Sequence, residues 1–172
     1  AVHLGHVGTR RSLVDWIEVQ LTQGAQWNDA VLLVHASNHF PDAGQLADLA
    51  SLCCAMCASR ERLSETLGQG ASFRQAICHW IDPARFPGAE IPLPVAIGIA
   101  AGAEQIDPRL TASAYLHAFV SNQLQCAIRL SVLGQEGAAR ALSELEPVIE
   151  KVAERAAAAT LEDLGSAGFI AD

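Results

Sequence analysis

Apolar residues along the chain recur at intervals of three and four, the repeat of one face of an α-helix. In RRSLVDWIEVQLTQ, residues 10–23, Leu13, Trp16, Ile17 and Leu21 fall on one stripe. Thr9 stands where an N-cap belongs, and Gly24 follows the end. The pattern predicts a second helix from about Asp29 to His39, stopped by Pro41, and a third over AGQLADLASLCCAMCAS, capped by Asp42. SRERLSETLGQGASFRQAICHW reads as a fourth. DPARFPGAEIPLP, residues 82–94, carries four prolines and predicts a loop. Beyond it VAIGIAAGAEQ predicts another helix, and Asp107 followed by Pro108 opens a long one. The last helical region, EGAARALSELEPVIEKVAERAAAATLEDL, holds Pro147, which predicts a kink or a division. No convincing period-two strand series and no internal repeat breaks the helical pattern. Small residues such as Gly98, Ala100, Ala101 and Gly102 suit close helix–helix contact. The expectation is an all-α fold: a single domain over residues 1–172, a helical bundle of about seven helices.

Length and composition agree with one domain. The chain has 172 residues, enough to bury a substantial core, and its 51% hydrophobic and 17% charged content excludes disorder. The longest uncharged stretches, around SLCCAMCAS and PLPVAIGIAAGA, fall short of the ~20 apolar residues that cross a bilayer. No signal peptide or transmembrane segment is visible, so no membrane contact is expected; the start, AVHLGH, lacks a methionine and is the start expected of a trimmed sequence. The formal charge is −8, with Lys151 as the single lysine. Such a chain has no basic stripe to neutralise phosphates, which argues against a nucleic-acid partner. Its acidity supports solubility and a basic partner surface. Five cysteines, three of them clustered, fit a reducing, cytoplasmic setting better than a secreted disulfide framework.

SLCCAMCAS is the segment that most invites a chemical reading. On a helix over 43–58, Leu46, Leu49 or Ala50, Cys53 and Cys57 share one stripe, the spacing of a buried face. The rival is a metal-binding helical bundle in which His35 and His39, spaced i, i+4, join Cys53 and Cys57. Redox chemistry of the thioredoxin kind places its Cys-x-x-Cys at a helix N-terminus, whereas these cysteines lie well inside a helix. Core packing is the preferred reading, with no metal and no cofactor assigned. Other enzyme signatures fail: there is no Glu-x-x-His, no His-Glu-x-x-His and no GxxxxGK[ST], and the GQG at 68–70 lies in a helical pattern. His3, His6, His79 and His117 form no set with a nucleophile. A binding or assembly protein is expected rather than an enzyme.

The long helix AYLHAFVSNQLQCAIRLSVLGQ carries the most information. Tyr115, Phe119, Asn122, Cys126, Arg129 and Leu133 form a continuous stripe, so an amide and a guanidinium share a face with aromatic and aliphatic residues. Buried without partners, such groups cost on the order of 1–3 kcal/mol. Either an internal hydrogen bond answers them or the stripe meets another protein or a second copy.

This region also resembles the UreF family of urease accessory proteins. The resemblance rests on Tyr115-Leu116-x-Ala118-Phe119, Ser121-Asn122, and Ala127-Ile128-Arg129-Leu130-x-x-Leu133-Gly134-Gln135. It continues through Pro147-x-Ile149 to Asp163-Leu164-Gly165-Ser166. Upstream, Val7-Gly8 with Leu13 and Trp16 is similar to the family's early helix. Arg62 with Glu61 or Glu65, followed by Gly70, is similar to its Glu-x-Arg stretch, and Gly98 to the segment before the long helix. Leu93 and Ile97 stand where the family often has a histidine and an aromatic. The family's glycine-rich N-terminal segment and its C-terminal tail have no counterpart here, as expected of a trimmed chain.

The resemblance implies a non-enzymatic all-α scaffold for urease maturation in the cytoplasm. It implies a homodimer that joins the UreD accessory protein (also called UreH), recruits the UreG GTPase, and so promotes nickel insertion into apo-urease. The candidate partner-binding residues are Tyr115, Asn122, Arg129, Gly134 and Gln135. A further alternative is a helical regulatory domain whose apolar cavity binds a small ligand.

Overall fold

A computed structural model describes residues 7–88 and 90–165. His3, His6 and Ser166 lie outside the described residues. The order is α1 (Arg10–Gln23), α2 (Ala25–Asn38), α3 (Ala43–Ala55), α4 (Arg60–Ile77), α5 (Leu93–Ala103), α6 (Pro108–Arg129) and α7 (Gln135–Ala158), with no strand among the described residues. The all-α bundle expected from periodicity is the fold observed.

Local chemistry sets most boundaries. Thr9 accepts from Ser12 N in a capping box, Asp42 accepts from Gly44 N and Gln45 N, and Asp107 accepts from Leu110 N. Four expectations change. Helix α2 begins at Ala25, with only Gly24 between it and α1, so Asp29 lies a turn inside the helix rather than at its start. Helix α3 stops at Ala55, which puts Cys57 in the following turn and off the helical stripe. Helix α7 runs through Pro147 undivided. Pro147 and Ser143, whose carbonyl loses its donor, are both exposed, so water can serve the freed oxygen. The 82–94 loop holds a short 3-10 turn at Pro83–Arg85, and its last two residues, Leu93 and Pro94, already belong to α5.

Helix α2 is the hub. Ala30, Val31, Leu33 and Val34 join Leu13, Ile17 and Leu21 of α1, Leu116, Val120 and Leu124 of α6, and Leu145, Ile149 and Val152 of α7 in one core. Leu32 and Ala36 enter a second core with Leu46, Leu49 and Cys53 of α3 and Val95 and Ile99 of α5. A helix apolar on all sides belongs in the interior. Helix α5 approaches α2 closely because Gly98 has no side chain: a Cβ there would stand 2.3 Å from Leu33 O. After α7 the chain returns to α2, where the Trp27 indole donates to Asp163 O at 3.0 Å and Asn28 exchanges hydrogen bonds with the Gly165 backbone.

Candidate functional site

Helix α4 lies against this hub and is joined to it by charge. Arg62, in its first turns, donates through Nη2 to Asp29 Oδ2 of α2 at 2.5 Å, and the Tyr115 hydroxyl of α6 donates to the same oxygen at 2.7 Å. Three helices thus meet on one carboxylate. Burial pushes the Asp29 carboxyl above its ordinary value, against the opposing pull of Arg62 and the Tyr115 hydrogen bond. Burial, then the neighbouring Asp29 charge, holds the Tyr115 hydroxyl protonated well beyond its usual range. For Arg62 burial works against the charge, but the Asp29 carboxylate overrides it and the guanidinium stays charged. Glu65, 3.5 Å from Arg62, completes the cluster.

Next to it opens a cavity of about 650 Å3 between α1, α4, α5 and α6. Trp16, Phe73, Ile97 and Phe119 supply apolar walls, and Arg62, Tyr115 and Asn122 also line it. Gln26, from the first turn of α2, reaches the same space.

The structure brings two of the five sequence-derived residues together. Tyr115 and Asn122 share the cavity wall. Arg129 ends α6, fourteen residues or roughly 20 Å of helix beyond Tyr115. It is exposed and makes no ion pair among the described residues. Gly134 is the N-cap of α7 and Gln135 its first residue, both exposed. Asn122 is exposed as well, so neither it nor Arg129 carries the burial cost that the stripe suggested. The buried face of α6 is the adjacent row Ala112, Leu116, Val120, Leu124 and Ala127. Sequence reasoning missed Asp29 and Gln26 as site residues. A carboxylate amid the apolar run of AQWNDAVLLVHASN was the available signal for the first.

The four-residue metal reading is not assembled. His35 Nε2 lies 3.0 Å from Ala159 O, His39 Nδ1 lies 2.7 Å from His35 O, and the two rings stack at 5.8 Å. Cys53 is buried, and its thiol is driven strongly upward by that burial; Cys57 Sγ donates to Cys53 O at 3.5 Å. Among the described residues no group of three or more histidine, cysteine, aspartate or glutamate side chains could hold a metal ion. Nor is any helix among them long and apolar enough to cross a membrane.

Comparison with known proteins gives the relationship. The family model described as UreF matches residues 7–146. Urease accessory protein UreF 1 of Brucella anthropi is 42% identical over 174 residues, an alignment covering 100% of this chain and 76% of that protein. Urease accessory protein UreF of Mesorhizobium japonicum is also 42% identical over 174 residues, covering 100% and 78%. That of Rhodopseudomonas palustris is 41% identical over 180 residues, covering 100% and 76%.

Proposed function

The chain belongs to the UreF family of urease accessory proteins, and from that premise we propose that it is a non-enzymatic scaffold of urease maturation. It binds the UreD/UreH accessory protein and the UreG GTPase, as a cytoplasmic homodimer, and the assembly promotes nickel insertion into apo-urease. The observation that carries this reading is similarity over the whole chain to proteins named for an accessory role in urease production. Nickel is the cargo of the assembly and no ligand set for it is assigned to this chain.

Two exposed regions are the proposed contacts. One is the lip of the cavity, where Asn122 is exposed about two helical turns from the part-buried Tyr115 on the same wall. The other is the turn from Arg129 to Gln135, which offers a guanidinium in no ion pair among the described residues, an apolar Leu130 that is 48% exposed, and the open N-terminus of α7 at Gly134. A cationic and an apolar group side by side suit an interface rim, where arginine is enriched.

The test is co-expression of the chain, extended at both ends to the length of its relatives, with its cognate UreD/UreH and UreG. Light scattering should weigh an assembly containing two copies of this chain. Arg129→Ala should weaken complex formation by about tenfold, roughly 1.4 kcal/mol, while helicity and unfolding stay unchanged. If the chain remains alone beside two folded partners, the scaffold reading fails. If Arg129→Ala activates urease normally, Arg129 leaves the site.

A further inference from the structure

The outward ridge of α6 is symmetric about its own middle. Counted from Ala118, it passes Ala114 and Asn122 at four residues, Thr111 and Gln125 at seven, and Asp107 and Arg129 at eleven. Steps of three and four keep all of them on one face of a helix. Thr111 is half-buried and the others are exposed. The two ends carry opposite charges, and among the described residues neither Asp107 nor Arg129 is in an ion pair. Between Arg109 and Arg129 the helix has no aspartate, glutamate, lysine or arginine, whereas α7 has eight such residues. An exposed face without charge, on a chain of formal charge −8, has the composition of an interface centre.

We propose that this ridge is the self-association face of the chain, with α6 of two copies antiparallel about a two-fold axis at Ala118. The proposal rests on the homodimer of the scaffold reading and gives that dimer its face. A two-fold contact sets each residue against the one equally far beyond the axis. Ala118 then meets Ala118 of the second copy, where two methyl groups let the backbones come close. Ala114 meets Asn122, Thr111 meets Gln125, and Asp107 meets Arg129 roughly 16 Å to either side of the axis. Two copies of charge −8 repel each other, and the paired ends supply attraction twice. They also fix the direction, since a parallel pairing would set like charges together. A ridge ordered in this way offers little to a basic or an acidic partner and fits a second copy. The cavity of about 650 Å3 opens beside it, lined by Ala114 and Ala118 on this side, so Trp16 and Phe73 extend the apolar contact.

Sedimentation of the whole chain should show a dimer. Ala118→Glu sets two carboxylates against each other on the axis and should weaken that dimer about a hundredfold. Circular dichroism and melting should stay unchanged, because Ala118 is exposed. Asp107→Arg and Arg129→Asp should each weaken self-association about tenfold. Mixed in equal amounts, these two variants should pair with each other at native affinity, since both ends then join arginine to aspartate again. Asp107→Arg also loses the cap on Leu110 N, so its melting is followed alongside. A native chain that stays monomeric overturns the proposal together with the homodimer. A dimer that Ala118→Glu leaves intact, or a mixture no tighter than either charge variant alone, overturns the face and leaves the homodimer standing. If Ala118→Glu loses UreD/UreH or UreG instead, with its dimer intact, the ridge belongs to that partner and the proposal falls.

Discussion

Helix α2 buries ten of its fourteen residues, whereas α4 buries two of eighteen. The two helices touch the same bundle and are kept in it by different forces. For α2 the force is removal of apolar surface from water, spread over Ala30, Val31, Leu32, Leu33, Val34 and Ala36 and shared between both cores. For α4 the apolar residues Leu63, Leu67, Phe73 and Ile77 are only half-buried. Its ties are discrete; among the described residues they include Arg62 to Asp29, the Thr66 hydroxyl accepting from Leu93 N at 3.3 Å, Gly70 against the backbone at Ile91, and the Arg74 guanidinium over the Phe86 ring at 5.0 Å. Distributed burial resists any single change, while discrete ties fail one at a time. Helix α4 is therefore the element expected to loosen first, and it walls both the cavity and the charge cluster.

The largest effect should come from cutting the shared tie. Asp29→Ala leaves Arg62 and Tyr115 inside without their acceptor and should cost about 3–5 kcal/mol in urea unfolding. Replacing both partners, Asp29→Leu with Arg62→Met, should cost clearly less, because no charge is then stranded. If the double variant is as damaged as the single one, the tie is not an ion pair in energetic terms. Leu33→Ala, in the fully buried face of α2, should cost about 3 kcal/mol by the same measurement. It should leave amide exchange in α4 no faster, relative to the rest of the chain, than in the native protein. Preferential exchange in α4 would erase the distinction between the two helices.

Gly70→Ala comes next, because a Cβ there would sit 2.0 Å from Ile91 O, a backbone atom with little freedom to yield. A loss of about 2 kcal/mol is expected, with exchange accelerated in α4 first; unchanged protection there would show that the close approach is dispensable. The smallest effect is a change of slope with pH. Asp29 is raised above its ordinary 3.8 by burial. A carboxyl raised on folding adds stability that is complete below its unfolded value and is lost as pH rises through its folded value. Relative to Asp29→Asn, the native protein should therefore lose stability as pH climbs upward from 3.8. Parallel pH profiles for the two proteins would refute the raised carboxyl.

The helices were legible because their signals are local. Thr9, Asp42 and Asp107 cap where a side-chain oxygen can reach the next turn, and periodic Leu, Ile and Val mark the inward stripe. The errors arose where a local rule met its surroundings. Asp29 looked like a helix start because carboxylates favour that place; Arg62, thirty-three positions away, allows it inside. Pro147 looked like a break, yet its freed carbonyl faces solvent. The stripe through Asn122 and Arg129 looked buried, but the face of α6 that packs on α2 and α7 is the row beside it. Periodicity gives a face its width and leaves its exact centre to the neighbours. The cysteines divide similarly: Cys53 is core, whereas Cys57 falls past the helix end.

By itself the sequence determined the fold class, most caps, and, through segments such as YLHAFVSN and AIRLSVLGQ, membership in a family. These depend on spacing and residue type over one or two turns, or on matching across the chain. Only the tertiary structure decided that Asp29, Arg62 and Tyr115 converge, and that the face of α6 turned inward is the row beside Asn122 and Arg129. Those facts require groups from α2, α4 and α6 to occupy one volume from which water has been removed. No local pattern records which distant residue will be there to answer a buried charge.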